Sequence, residues 1–327
     1  MSYLVGAYAA FSGVRMDAEL EDGAYALLSK HPHVSGFEIP FLDRRTADPR
    51  RITRHLGASK HSVLTTIPGV VAAARRDSTF GLASIHERGR NRAIAQVAEA
   101  LSVARRVNGE LGRLVIGAIH VASAPRQSRP ELPGGADLLA ESLAELLSWE
   151  WNGIRLVLEH CDALNTSHEP AKGFLTLDSE IAAITKAQIG SMYRIGVCIN
   201  WGRSVIETRD CDTVPRHLST VRRARMLAGA VFSGCSSQPT IFGSAWADAH
   251  LPPAPDGAAE TGMPLSLMTK GEISRCLQEI DARESVYVGL KVSAPRYSSI
   301  AARIGLVEAS LSVLHAADQN GATKHDA

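Results

Sequence analysis

Residues 154–162 read Ile-Arg-Leu-Val-Leu-Glu-His-Cys-Asp, an apolar run that stops in four titratable side chains. A strand covered on both faces reads as a near-continuous apolar run, so 154–160 fits a buried parallel strand with a reactive end. Seven further runs share the pattern, at 4–11, 34–41, 62–69, 114–122, 194–200, 229–233 and 285–293. Helical stretches separate them, clearest at 91–107, 136–151, 179–187, 214–227, 270–280 and 299–317, and weaker over 17–30 and 46–56. In 299–317 the residues Ile300, Ile304, Val307, Leu311 and Leu314 recur every three or four positions and share one face. Eight strand–helix alternations predict a single α/β domain, a (β/α)8 TIM barrel, with its active site where the strands end.

The connections support that reading. Links from helix to strand are short and carry glycine, at Asn108-Gly109, Asn152-Gly153 and Ile189-Gly190. Links from strand to helix are long after strands three (70–90), four (123–135), five (161–178) and seven (234–269). Long loops gathered at one end of a compact domain point to function there. The stretch 251–264 has the composition of a linker but falls inside the seventh unit, so it reads as a loop over the barrel mouth. The barrel is expected over 1–317, with a flexible tail at 318–327.

Composition narrows the function. Lys and Arg number 35 against 34 Asp and Glu, a net charge of +1, which argues against a nucleic-acid partner. No run approaches the ~18–20 apolar residues of a membrane span, so no membrane partner is expected. No signal peptide is visible, and the five cysteines (161, 198, 211, 235 and 276) lack disulfide or zinc-finger spacing. A cytoplasmic protein is the expectation.

The strand ends supply the candidate residues. Strand two holds Glu38 between apolar neighbours, either a mouth-facing carboxylate or one bonded to an Arg such as Arg44. Strand three ends in Thr65 and Thr66, and its loop carries His86-Glu87-Arg88-Gly89-Arg90 at a helix start, where His86 and Arg88 could favour an anion. Strand four gives His120, a substrate contact or a core histidine. Strand five gives Glu159 and His160. Their crowding with Cys161 and Asp162 is expected to raise a carboxyl pKa towards neutrality and make Glu159 a general base. Strand six gives Asn200, Trp201 and Arg203: an amide, a flat wall for a sugar ring and a fork for an anion. Strand seven leads to Ser233 and Cys235, and strand eight to Lys291 and Arg296. Lys291 could neutralise a substrate anion, stabilise an enolate, form a Schiff base, or pair with Glu159 or Glu38.

Gly-Phe-Glu-Ile at 36–39, His120, Leu-Glu-His at 158–160 and Ile-Asn-Trp-Gly at 199–202 resemble the xylose-isomerase-like barrels over most of the chain. That superfamily contains sugar isomerases, epimerases, dehydratases and barrel endonucleases. The resemblance implies a divalent metal held by carboxylates and a His of the later strands. Glu159 matches the strand-five glutamate. Asn200 stands where an aspartate is usual, Ser233 where a His or Asp is usual, and Lys291 where a second glutamate is usual. An amide and a cation in place of anionic ligands imply that the pocket is kept and the metal site lost or rebuilt. No cofactor and no metal ligand are therefore expected, with bound Mn, Mg, Co or Zn as the alternative.

The resulting expectation is a carbohydrate-active enzyme that resembles sugar isomerases and epimerases and moves a proton on a sugar or sugar acid. Glu159 would be the base, Lys291 the stabiliser of the enolate oxygen with help from His120 or Asn200, Arg203 the anion clamp and Trp201 the ring platform. His160, His86, Arg88, Ser233 and Arg296 would complete the substrate site. A metal-independent glycoside hydrolase using Glu38 and Glu159, and a non-catalytic sugar-binding barrel, are the rival readings. Barrels of this kind often dimerise, so a homodimer stays open.

Overall fold

The computed structural model describes residues 2–14, 16–128, 135–256, 262–280 and 286–322, the side chains of 320–322 apart. Eight parallel strands form a closed barrel in chain order. They are β1 (Tyr3–Val5), β2 (Val34–Pro40), β3 (Ser62–Thr65), β4 (Ile116–Val121), β5 (Arg155–His160), β6 (Gly196–Asn200), β7 (Leu227–Phe232) and β8 (Tyr287–Leu290). Closure comes from the pairing of Leu4 with Gly289 and of Val5 with Leu290. Around them lie α1 (Ala7–Ala10), α2 (Ala18–Ser29), α3 (Pro49–Leu56), α4 (Ile67–Ala74), α5 (Glu87–Leu111) and α6 (Gly135–Leu147). The ring continues with α7 (Leu177–Ala187), α8 (Trp201–Thr208), α9 (Thr213–Arg223), α10 (Lys270–Leu277) and α11 (Ile300–Ala322).

All eight expected runs overlap a strand, with β1 and β7 starting one and two residues earlier than expected, and all eight expected helices exist. Three short helices, α1, α4 and α8, are additions to the sequence reading. Each starts within two residues of a strand end, where the chain leaves the barrel. Pro68 in the first turn of α4 and the Asn200 side chain, which accepts from the Arg203 N–H at the head of α8, favour those starts. The expected stop at Gly109 is not used. Asn108 instead caps the next strand: its Oδ1 accepts from the N–H groups of Val115 and Ile116, and its Nδ2 donates to the Ile116 carbonyl. The helix runs on to Gly112, whose φ of 64° closes it. Gly153 and Gly190 do take the left-handed conformation expected of them, at φ 81° and 76°.

Side chains alternate across a strand, so the barrel wall sorts residues into two cores. Inside, Leu4, Val63, Ala118, Val157, Cys198, Ala228 and Val231 form a small apolar plug. Outside, a larger core lies between strands and helices, with Phe37, Ile119, Leu158, Ile199 and Phe232 from the wall. Gly229 shows how the plug is fitted: a Cβ there would lie 2.2 Å from the Tyr287 ring, so only glycine admits the tyrosine. Helix α11 is long and apolar enough over Ile300–Gln319 to cross a membrane by length and composition, contrary to the sequence reading. Here its Ile304, Val307, Leu311, Leu314 and Ala317 are buried.

Candidate functional site

Alternation along β5 splits the Glu-His pair that the sequence placed together. Glu159 faces the barrel interior, above the apolar plug, and is fully buried. Its Oε1 accepts from Arg203 Nη1 (2.5 Å) and Asn200 Nδ2 (3.1 Å), and Lys291 Nζ lies 3.9 Å away. Its Oε2 meets His120 Nδ1 at 3.1 Å. His120 in turn bonds the Tyr287 hydroxyl through Nε2. Lys291 Nζ lies 2.7 Å from Glu38 Oε1, which also accepts from the Tyr8 hydroxyl (2.8 Å). The expectation of a raised carboxyl pKa is reversed at Glu159. Burial does push it up, but Lys291, Arg203 and His120 outweigh burial and hold it well below the usual range. The charges that crowd it are the cations Lys291 and Arg203 rather than other carboxylates. For the same reason Glu159 and Glu38 hold Lys291 protonated against the effect of burial, which removes the Schiff-base option.

His160 faces outward, into the layer between the wall and the helices. Its Nδ1 lies 2.7 Å from Glu180 Oε2 on α7, and its Nε2 2.9 Å from Glu207 Oε2 on α8. It is therefore separate from the barrel interior.

Above the interior network opens a cleft of about 1010 Å³ at the C-terminal ends of the strands. Tyr8, Arg203, Asp248, His250 and Ser293 line it, with Trp246 and Phe242 from the loop after β7 and Lys172 from the loop after β5. Asp248 organises this set. Its Oδ2 accepts from Arg203 Nε (3.1 Å) and pairs with Lys172 Nζ, while its Oδ1 lies 3.2 Å from His250 Nδ1. His250 Nδ1 also meets Ser233 Oγ at 2.8 Å. Burial, helped by Lys291 and Arg203, lowers the His250 pKa against the pull of Asp248, so the imidazole is neutral near pH 7. No partner for Nε2 is present among the described residues. His250 and Trp246 both hold positive φ, 53° and 60°, a strained state for non-glycine residues that clusters at functional sites. Arg75 and Arg209 also line the cleft, and neither forms an ion pair among the described residues. Arg209 lies over the Trp246 ring, 5.4 Å from its centroid.

The structure thus joins Glu38, His120, Glu159, Lys291, Asn200 and Arg203 into one buried network, with Ser233 beside it through His250. Five expected substrate contacts lie elsewhere. Trp201 opens α8 and packs into the outer core, 1% exposed, so the cleft's aromatic wall is Trp246 and Phe242 instead. His86 caps α5 at the surface, and Arg88 follows it, also exposed. Arg296 is exposed and lies against the Tyr297 ring. His160 is turned outward. The sequence reading missed Tyr8, Asp248 and His250. The available signal was the Asp-Ala-His at 248–250 within the longest strand-to-helix loop.

The interior donor set does not fit the divalent metal that the barrel family implies. The lone pairs of Glu159 already receive a guanidinium, an amide and an imidazole, and an ammonium stands beside Glu38. Two fixed cations occupy the region where a metal would need anionic oxygen.

The family described as "Domain of unknown function (DUF4862)" matches residues 4–306. The chain is 31% identical to the "Uncharacterized protein STM3670" of Salmonella typhimurium over 294 residues, 89% of each chain. Among solved structures it is similar to a candidate xylose isomerase from Rhodospirillum rubrum (10% identity, TM-score 0.65, 96% and 98% of the two chains). It is also similar to D-psicose 3-epimerase from Clostridium cellulolyticum, solved with D-tagatose (13% identity, TM-score 0.57, 99% of each). These likenesses show the fold, a closed (β/α)8 barrel. The match over nearly the whole barrel places the chain in the DUF4862 family.

Proposed function

We propose that the protein is an isomerase or epimerase acting on an anionic sugar derivative, such as a sugar acid, by moving a proton at a carbon beside a carbonyl. The observation that carries this reading is His250, a neutral imidazole on the cleft wall, with Nδ1 committed to Asp248 and Ser233 and Nε2 left over. In the proposed step Nε2 takes the proton from carbon. The C–H electron pair becomes the enolate double bond, and the carbonyl oxygen becomes the enolate oxygen. In this step the Tyr8 hydroxyl, which otherwise donates to Glu38, turns to donate to that oxygen, and burial, which raises its pKa, keeps the proton on it. Lys291 behind it adds positive potential. Return of the proton from His250 to the former carbonyl carbon, with the hydroxyl proton of the deprotonated carbon passing to the enolate oxygen, gives isomerisation. Delivery of a different proton to the deprotonated carbon from its other face, by water, gives epimerisation. Glu159 serves here as the anchor that positions Arg203, Lys291 and His120. Arg75 and Arg209 are the cations free to meet an acidic group.

The hydrolase reading loses support because Glu38 and Glu159 both approach the same Lys291 ammonium beneath the cleft. An ammonium stands where a glycosidic bond would need to be.

The test is incubation with a panel of sugar acids and sugar phosphates in heavy water, read by loss of carbon-bound proton signals. Exchange should occur with a ligand that also raises the thermal midpoint, and His250→Gln should slow it about 100-fold or more without loss of folding. A folded His250→Gln protein with full exchange overturns the assignment. A ligand that binds without any exchange favours a non-catalytic barrel.

A further inference from the structure

The outward side of β5 carries a second cluster, and the proposed reaction does not use it. His160 comes from the end of β5, Glu207 from α8 and His217 from α9. One ring nitrogen from each histidine and one carboxylate oxygen from Glu207 lie within 4.8 Å of one another. The two imidazoles stand edge to face, 5.1 Å between centroids.

We propose that His160, Glu207 and His217 form a binding site for one divalent transition-metal ion of the zinc kind. Two imidazoles and one carboxylate are the donor set that borderline ions take, while two nitrogens in three ligands disfavour Mg and Ca. Each imidazole has its far nitrogen already fixed. His160 Nδ1 is held by Glu180 (2.7 Å), whose other oxygen accepts from Ser123 Oγ. His217 Nδ1 is held by Ser204 Oγ (3.0 Å). Partners of this sort orient metal-binding histidines. Against the effect of burial, Glu180 and Glu207 raise the His160 pKa to about 10, so the ion binds by displacing the Nε2 proton to solvent, and affinity should rise with pH. Bonds of about 2.1 Å in a tetrahedron put ligand atoms roughly 3.4 Å apart. The ion therefore widens the 2.9 Å His160–Glu207 contact slightly and draws His217 inward. The Glu207 side chain is 13% exposed, which gives the ion an entry path and leaves its fourth position to water.

The consequence is mechanical. Glu207 Oε2 also accepts from the Ala163 N–H (3.0 Å), and its carbonyl accepts from Asn165 Nδ2 (2.9 Å). Those residues begin the loop that runs on to Lys172 at the cleft. An ion on Glu207 fastens the root of that loop to α8 and α9 without touching substrate.

The experiment is titration of chelator-treated protein with zinc by calorimetry and with cobalt by visible absorption, alongside thermal melts. The expected result is one equivalent of zinc, ligand-field bands of a low-coordinate cobalt ion, and a midpoint that rises with zinc. His217→Ala and Glu207→Gln should weaken zinc roughly 100-fold or more, and Ser204→Ala about tenfold. Melts of the metal-free variants check folding, and Ser204→Ala carries the test if a ligand variant does not fold. Absence of stoichiometric binding, or equal binding by wild type and His217→Ala, overturns the proposal.

Discussion

Replacing Lys291 with methionine tests the buried network most directly. The substitution keeps most of the stem's volume and removes one charge that is 1% exposed. Its two partners are left in different positions. Glu159 retains Arg203, Asn200 and His120. Among the described residues, Glu38 retains only the Tyr8 hydroxyl on the oxygen that faced the ammonium. Removing one member of a buried ion pair costs about 3–5 kcal/mol, because the remaining charge is stranded. At about 2 °C per kcal/mol, the low end for larger domains, the midpoint should fall by roughly 6–10 °C. Lys291→Met with Glu38→Gln removes the stranded charge as well and should recover most of the loss. Calorimetry or urea melts of wild type, both single variants and the double variant give the coupling. A Lys291→Met loss under about 1 kcal/mol, or a double variant no more stable than Lys291→Met, would refute the argument that the charges are held as a pair.

Asp248 is held well below the usual carboxyl range: burial pushes it up, but Lys172, Arg203 and His250 outweigh that. Such a group stabilises the fold fully above its unfolded value near ~3.9 and loses that contribution as pH falls through the folded value. The stability gap between wild type and Asp248→Asn should be widest above about pH 5 and should close in acid; a gap that widens in acid contradicts the assignment. Gly229→Ala pushes a methyl to within 2.2 Å of the Tyr287 ring and should cost about 1–3 kcal/mol in chemical denaturation, partly relieved by Tyr287→Ala. Arg303 is fully buried and donates to the carbonyls of Ala10, Ser12, Pro295, Arg296 and Ser298. Arg303→Lys should still lose about 3 kcal/mol or more in the same assay, because an ammonium cannot reproduce the planar fork.

The barrel was legible because its strands are buried on both sides and its turns carry glycine, both local signals. Glu38, His120, Glu159, Lys291, Asn200 and Arg203 were legible for the same reason: polar residues at the ends of apolar runs gather at one layer of a closed barrel. Their pairing was not legible. A sequence shows that Glu159 has titratable neighbours in the chain, but the residues that set its charge are Arg203, Lys291 and His120, from three other strands or their ends. His160 follows Glu159 in sequence and lies on the opposite face, which the two-residue period of a strand already implied. Trp201 was placed at the mouth because it follows a strand end, but the short helix α8 begins there and turns the indole into the core. Asp248 and His250 sit in a loop without periodicity. The positive φ that aims His250 leaves no mark in its residue type.

The ion pairs of the barrel mouth also bear on where a substrate's charge must go. Three carboxylates, Glu38, Glu159 and Asp248, meet three cations, Lys172, Arg203 and Lys291, through direct contacts. This block is neutral in itself. A metal ion added to it would have to displace a paired cation, and a substrate carboxylate would have to compete with a paired anion. Either exchange leaves a buried charge uncompensated, at a cost of several kcal/mol. Arg75 and Arg209 face no such competition, because they line the same cleft without an ion pair among the described residues. The acidic group of a ligand should therefore rest on these arginines and leave the sugar's carbonyl end for Tyr8 and His250. Arg75→Ala and Arg209→Ala should each weaken an acidic sugar about tenfold and leave its neutral analogue unchanged, as read by thermal shift or calorimetry. Equal loss for both ligands would mean that the arginines hold the loops rather than the acid.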